Sequence, residues 1–318
     1  DNYNLKSEGV YKNNKKNGYF KEYSIDGNVE NISKYIDDVI QIDAPEITTL
    51  ELRTDYYPDG QKKVIGTYNK NGKPEGFRRE YNQDGTIKSA KIFKSGVMIG
   101  KGIVDDGGMK NDSWKEYFET GELRGEGNYK NDRRIGKWIF YHRNGKIEQT
   151  GTYIEGEIPD GEWKWFYESG KLLKSEIFKR GLLEGLLKEY TDSGNVITEG
   201  KYQDDLKEGE WFYDMNDHKE IGSYKSGMRD GEWKHYYNNG NLSFTGNYID
   251  GIPEGKHTWY HENGVIKEEG VYEGGRKEGE WKMYYKDGSV LITTYYKHGQ
   301  IERIDGNKVN LPLVKEEE

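Results

Sequence analysis

Cysteine is absent from the 318 residues and proline occurs only six times. The first absence excludes disulfides, thiolate catalysis and Cys-ligated zinc, while leaving the compartment open. No apolar run reaches the roughly 18 residues that a membrane-spanning helix needs. Hydrophobic residues make up only 32% of the chain, against a usual share of about 45–50%, and the mean hydropathy is -1.08. The length would suit about two ordinary domains, yet the material for an oily two-layer core is short. There is no strongly basic block and the formal charge is -9. Nucleic acid and anionic lipid are therefore poor default partners.

With 33% charged residues, bulk statistics alone would suggest disorder. Against that stand 27 Tyr, 8 Trp, 9 Phe and 42 Gly, which point to folding by aromatic packing over tight turns.

The chain repeats itself. Gly127-Asn-Tyr129, Gly151-Thr-Tyr153, Gly200-Lys-Tyr202, Gly222-Ser-Tyr224, Gly246-Asn-Tyr248 and Gly270-Val-Tyr272 recur about every 24 residues. A second glycine follows each tyrosine (Gly136, Gly161, Gly209, Gly231, Gly255, Gly279), then an aromatic slot (Trp138, Trp163, Trp233, Trp281, with Leu187 and His257 as substitutes), then a tyrosine or phenylalanine, then a turn such as Asn144-Gly145, Asn239-Gly240 or Asp287-Gly288. Asn-Gly and Asp-Gly are strong hairpin signals, read here as type I′ turns with positive φ at both central positions. No segment sustains a helical period, so the reading is strand, turn, strand, turn throughout. The tryptophan slot and the following tyrosine slot are an odd number of residues apart, so either both faces carry rings or a bulge lies between. The glycines either seat rings on bare backbone or mark bulges.

The expected fold is all-β: an elongated single-layer antiparallel sheet of serial hairpin repeats, with contacts mainly between sequential neighbours. Residues 1–34 form an N-terminal cap and first repeat, 35–112 irregular repeats, 113–304 the regular array and 305–318 a solvated tail. Two stretches break the rhythm. Residues 35–59 carry seven acids against one base, Arg53, and read as an acidic loop, with calcium as the alternative. Residues 94–112 add about half a repeat, either as an added strand, which would reverse everything after it, or as a long loop or bulged strand. His218 stands where a tip glycine is expected, and Arg53 and Arg78 fill the aromatic slot.

Gly222 to Leu242, with its Gly-x-Tyr, Gly-Glu-Trp-x-x-Tyr-Tyr and Asn-Gly-x-Leu elements, resembles the MORN-repeat variant of many bacterial proteins, a group known as YwqK-type antitoxins. The resemblance covers roughly residues 9–295. It implies serial hairpins in a single-layer sheet serving protein contact or assembly, with lipid binding proposed for eukaryotic relatives; an antitoxin-like neutraliser of a cognate toxin is what the group's label implies.

Catalytic motifs are missing: Gly-x-x-Gly matches fall in turns without a following helix, and there is no Gly-x-Ser-x-Gly elbow. His257 and His261 have the helical spacing of a metal pair, but on a strand that spacing is about 13 Å, too long for one ion. Neither cofactor nor metal is expected, and the chain reads as a non-enzyme. The expected function is a scaffold that binds a protein partner through an aromatic-rich sheet surface, with an envelope glycan or polysaccharide as the alternative ligand. Rings in the repeated slots are assigned to structure, so Trp165, Tyr237, His257, Trp259 and His261, which depart from the slot pattern, are the candidate binding residues. Open sheet ends favour an end-to-end homodimer. The start at Asp1 hints at a removed leader, hence an envelope or secreted protein, otherwise a cytoplasmic one.

Overall fold

The computed structural model describes residues 6–12, 14–23, 29–36, 38–40, 50–105 and 108–309. Among them there are strands, turns and no helix. The chain divides into two compact units, residues 1–157 and 158–318. The first holds a four-stranded sheet running in chain order from Ser7–Lys12 to Val39–Ile40, and a second run of strands from Glu51–Tyr56 to Ile147–Ile154. The second unit runs from Ile158–Phe166 to Asn307–Lys308. Within each unit strands pair antiparallel with their chain neighbours, as in Trp233 opposite Gly246 or Trp281 opposite Thr294. The fold is all-β and built of serial hairpins, as the periodicity implied.

Two kinds of hairpin connection occur, and the expected turn type is assigned to the wrong one. At the Asn-Gly tips only the glycine has positive φ (Gly145, 80°; Gly240, 86°). There the His142 N–H donates to Lys146 O, and the Gly145 N–H to His142 O, both at 2.9 Å. This is a longer loop closed by one left-handed glycine, and the ladder slips beside it, between Phe140 and Tyr141. The asparagine or aspartate is chosen for its side chain: Asn144 Oδ1 accepts the Lys146 N–H at 2.9 Å, and Asp287 Oδ1 the Ser289 N–H at 2.8 Å. Type I′ geometry lies at the other connection, where consecutive residues share positive φ, as in Asn131 and Asp132 (51° and 62°) or Asp204 and Asp205 (48° and 65°).

The two glycine series also do different things. Gly127, Gly200, Gly222 and Gly270 lie under the rings of Trp138, Trp211, Trp233 and Trp281, where a Cβ would fall inside the indole's van der Waals surface. Each of those indoles donates its Nε1 proton to the carbonyl just after the seat glycine, Asn128 for Trp138 at 2.9 Å and Ser223 for Trp233 at 3.1 Å. Gly136, Gly209 and Gly231 have open space around the missing Cβ and φ near 70°; they bend the strand where the ladder slips, and so lower the ring onto its seat. Ring seats and bulges are thus both present, on different glycines.

The seat and its occupant vary together. In the repeat where Glu176 replaces the seat glycine, Leu187 replaces the tryptophan; both are buried. Where Arg78 replaces the ring, its Cγ would meet a Cβ on Gly66 at 3.1 Å. The tyrosine slot faces the other way: Tyr141 and Tyr284 donate to Glu126 and Glu269, each at 2.7 Å, on the face where Lys115 and Lys256 pair with the same two carboxylates. Both faces therefore carry rings.

Acids also clamp successive repeats. Asp160, Glu208, Glu254 and Glu278 accept the N–H of Arg180, Ser226, Gly274 and His298, the first residue of the neighbouring repeat's tight turn, at 2.6–2.8 Å. Of the acidic stretch 35–59, Asp38 accepts from Lys16 N, Glu51 pairs with Arg53 and Asp59 accepts from Gln61 N and Gln83 Nε2; Asp37, Asp43 and Glu46 lie outside the described residues, as do 310–318 of the tail.

Residues 94–112 contribute a full strand, Val97–Val104, paired on one side with Ile87–Lys94 and on the other with Lys110–Tyr117. The strand reading holds and the loop reading does not. Its far end is a loop of the tip kind, with the Asp105 N–H donating to Met109 O at 2.9 Å, so Lys110–Tyr117 has such loops at both ends. At position 218 the expectation is corrected. Asn216, with φ of 69°, takes the left-handed place. The tip closes as a shorter loop, with the Met215 N–H donating to His218 O at 2.9 Å, and no bulge follows it. His218 becomes the first residue of the strand His218–Lys225.

Candidate functional site

The tryptophan face of residues 158–318 is built in rows. One row alternates rings with their seats, Trp211, Gly222, Trp233, Gly246, His257, Gly270 and Trp281, and its rings are buried. A second row, nearer the tips, holds Tyr213, Glu220, His235, Phe244 and Trp259 in cross-strand register. Apart from Phe244, which is buried, these residues remain only partly covered. Ring centroids are 4.7 Å apart for His235 and Phe244, and 5.1 Å for Phe244 and Trp259.

Cations recur over the first row. Four residues before the slot, Lys207 lies 4.6 Å from the Trp211 ring centre, Arg229 4.0 Å from Trp233 and Lys277 3.8 Å from Trp281. Arg229 and Lys277 are also held by carboxylates, Glu220 and Glu268, each at 2.9 Å. Each indole is thus pressed between bare backbone and a charged side chain, a contact worth about 0.5–2 kcal/mol depending on solvent exposure.

The shortened tip disturbs this pattern. Removing residues there carries His218 onto the ring-bearing face, where it meets Asp217 (Nδ1 to Oδ1, 2.7 Å) and Glu220 (Nε2 to Oε1, 3.1 Å). Hydrogen bonds to Glu220 and then Asp217 push its pKa up. His235, 3.7 Å from the other oxygen of Glu220, is pushed down by burial, and so is His257. A concavity of about 420 Å³ opens between Asp217, His218, His235, Tyr237, Phe244 and Trp259, with Ser243 and Tyr248 completing its wall.

Of the five candidates from sequence, Tyr237 and Trp259 line this concavity. His257 is 2% exposed and lies beneath it, sharing the Gly246 seat with Phe244. Tyr237 and His261 also brace the tips: the Tyr237 hydroxyl donates to Tyr260 O at 2.6 Å and His261 Nε2 to Tyr284 O at 2.9 Å, the same brace that Tyr57 gives to Tyr81 and Tyr167 to Tyr190. Trp165 stands apart, 6.1 Å from Trp163 and covered by Lys174 Nζ at 4.3 Å. His218, His235 and Phe244 were not among the candidates. The signal for them is the spacing from Gly200 to Gly222, two residues short of the next interval, from Gly222 to Gly246.

A larger hollow, of about 550 Å³, lies in residues 1–157 beside Trp114, Phe118 and Arg134. Several of its charges are already engaged: Arg134 holds Glu116 and Glu157 at 3.1 and 2.9 Å, Lys94 holds Glu119 at 2.5 Å, and Arg143 lies 5.3 Å over Phe118. Among the described residues no three His, Asp or Glu side chains are grouped to hold a metal ion.

The MORN repeat variant model matches residues 52–70, 113–131, 134–155, 159–180, 183–204, 229–250, 253–273 and 277–303, together more than half of the chain. No curated protein matches. Among solved structures the chain is similar to the Photorhabdus luminescens Tc holotoxin pore with a TccC3 mutation, at 11% identity and a TM-score of 0.20 over 92% of this chain and 18% of that one. It is also similar to the TcdB2-TccC3-Cdc42 crystal structure, at 10% identity and a TM-score of 0.14 over 91% and 24%. The chain spans less than a quarter of either.

Proposed function

The chain belongs to the MORN repeat variant family, and on that footing we propose that it is a non-catalytic scaffold which docks a protein partner on the ring-bearing face of residues 158–318. One observation carries this reading. His235 and Trp259 stay partly open around a concavity, whereas the tryptophan row beside them is buried and already braced by its own lysines and arginines. Half-open aromatic rings give contact area at little cost in rotamer freedom. Against catalysis, the imidazole of His218 is spoken for by two carboxylates and that of His235 is half-buried next to an arginine-held glutamate; no nucleophile is paired with either.

The test is affinity capture with three forms of the chain: wild type, Trp259→Ala with Tyr213→Ala on the ring face, and Lys256→Ala with Lys282→Ala on the opposite face. A partner protein retained by the first and third forms and lost by the second supports the reading. A partner that ignores both pairs of substitutions counts against it. Because Asp217 and Ser243 rim the concavity as hydrogen-bonding groups rim sugar sites, a saccharide that quenches Trp259 fluorescence would favour the glycan reading instead.

A further inference from the structure

Position 253 breaks the cation series. Lys207, Arg229 and Lys277 stand opposite Tyr202, Tyr224 and Tyr272 in the ladder, and Pro253 stands opposite Tyr248 in the same register. Proline brings no charge. No lysine or arginine among the described residues lies over Phe244 or Trp259. The other proline in this unit at such a position, Pro159, is compensated: Trp165 is cross-strand from Lys174, whose Nζ sits 4.3 Å over the ring. Trp259 is cross-strand from Glu268 instead, and that carboxylate belongs to Lys277. Tyr248 lies under Arg229, 5.6 Å from its ring centre, and Phe244 is buried, so Trp259 is left half-open with no cation over it.

The same rings wall the concavity at the shortened tip, with the Asp217 carboxylate, 83% exposed, at its rim. Burial pushes the pKa of His235 and His257 down, while His218, pushed up, already shares the Asp217 carboxylate through Oδ1 at 2.7 Å. We propose that Trp259, with Tyr237 and Asp217 beside it, receives the guanidinium or ammonium of a basic side chain on the docked protein, in the place that Lys207 takes over Tyr213, 5.0 Å from its ring centre. This rests on the docking reading above and gives the partner a chemistry. A guanidinium suits the site best, because it can lie flat on Trp259 while a second edge reaches a carboxylate. The chain's formal charge of -9 favours approach of a basic segment over long range.

Position 253 itself provides the test. Pro253→Arg restores the resident cation and fills the site; Pro253→Ala removes the proline and leaves the site open, so it controls for any change in folding. The probes are a blocked Gly-Arg-Gly peptide and its citrulline counterpart, alike in shape but uncharged, followed by Trp fluorescence and calorimetry. Wild type and Pro253→Ala should bind the arginine peptide at least about threefold more tightly than the citrulline one, within the range of a partly exposed cation on a ring. Pro253→Arg should lose that preference, and Trp259→Leu should weaken arginine binding without affecting citrulline. Equal binding of the two peptides, or an undiminished preference in Pro253→Arg, overturns the proposal. If a captured partner depends on Trp259 yet binds Pro253→Arg normally, the cation site falls and the docking reading stands. If the peptide preference behaves as expected but no protein depends on the ring face, the reverse holds.

Discussion

Gly222 is the floor on which Trp233 lies, and the indole proton reaches past it to the Ser223 carbonyl at 3.1 Å. A methyl group there would have to lift the ring off both backbone and hydrogen bond. Gly222→Ala should therefore cost on the order of 1–3 kcal/mol by overpacking and change the near-ultraviolet signal of tryptophan. Gly231→Ala meets nothing within 4 Å and is strained only by its φ of 74°; about 1 kcal/mol is expected, with the tryptophan signal kept. Urea unfolding and near-ultraviolet circular dichroism of the two variants decide this, and a larger loss for Gly231→Ala with an unchanged spectrum for Gly222→Ala would contradict the ring-seat account.

Glu176 and Leu187 form a matched exception to the glycine and tryptophan pattern. Leu187→Trp alone should clash with the buried Glu176, which Lys174 holds at 2.9 Å. Glu176→Gly alone should leave Leu187 over an unfilled seat. The double variant rebuilds the usual pair, so a favourable coupling of about 1–2 kcal/mol is expected. Strictly additive losses in a double-mutant cycle would show that the two positions do not share one site.

Stability should depend on pH through three histidines of opposite sign. Burial holds His235 and His257 below the ordinary value, so as pH falls below about 6.5 the unfolded chain takes up protons first and stability declines. Carboxylate hydrogen bonds hold His218 above it, adding stability that is complete below about 6.5 and lost as pH rises through the folded value. His257→Gln should flatten the fall in melting temperature between about pH 7 and 5, and His218→Gln should steepen it. Parallel profiles for all three proteins would refute this assignment of charge states.

Tyr237 both braces a tip and lines the concavity, and the two parts separate cleanly. Tyr237→Phe removes the 2.6 Å bond to Tyr260 O and should cost about 1 kcal/mol, while the ring it keeps should leave the arginine-peptide preference intact. Loss of that preference together with unchanged stability would mean that the hydroxyl serves the ligand and not the tip.

Much of the fold can be read from the sequence because each repeat states the same conformational demands. Tip glycines such as Gly145 need left-handed φ, seat glycines such as Gly127 need absence of a side chain, and Trp138 needs both. What could not be read was which glycine does which, since a missing Cβ and a positive φ call for the same letter. Asn-Gly reads as a type I′ turn for a related reason: the dipeptide serves either loop, and the loop is set by the register slip beyond it, between Phe140 and Tyr141. The cations over the rings were missed because Lys207, Arg229 and Lys277 look like ordinary surface charge until the bulge folds each ring toward them. His218 and His235 meet only because the loop between Asp214 and His218 is short, a deletion visible as spacing but silent about direction.

The additional strand Val97–Val104 has a topological effect of its own. Before it, the loops from Tyr57 to Gln61 and from Asn82 to Thr86 share one margin, with the similar loop from Asn69 to Lys73 on the other; after it, those such as the one from His142 to Lys146 sit along that other margin. A hairpin added to such a chain is invisible to everything downstream, but a single strand exchanges the margins. Duplication by even numbers of strands would lengthen a run of hairpins and keep its polarity, whereas one odd insertion moves the loops of the repeats that follow it to the opposite margin.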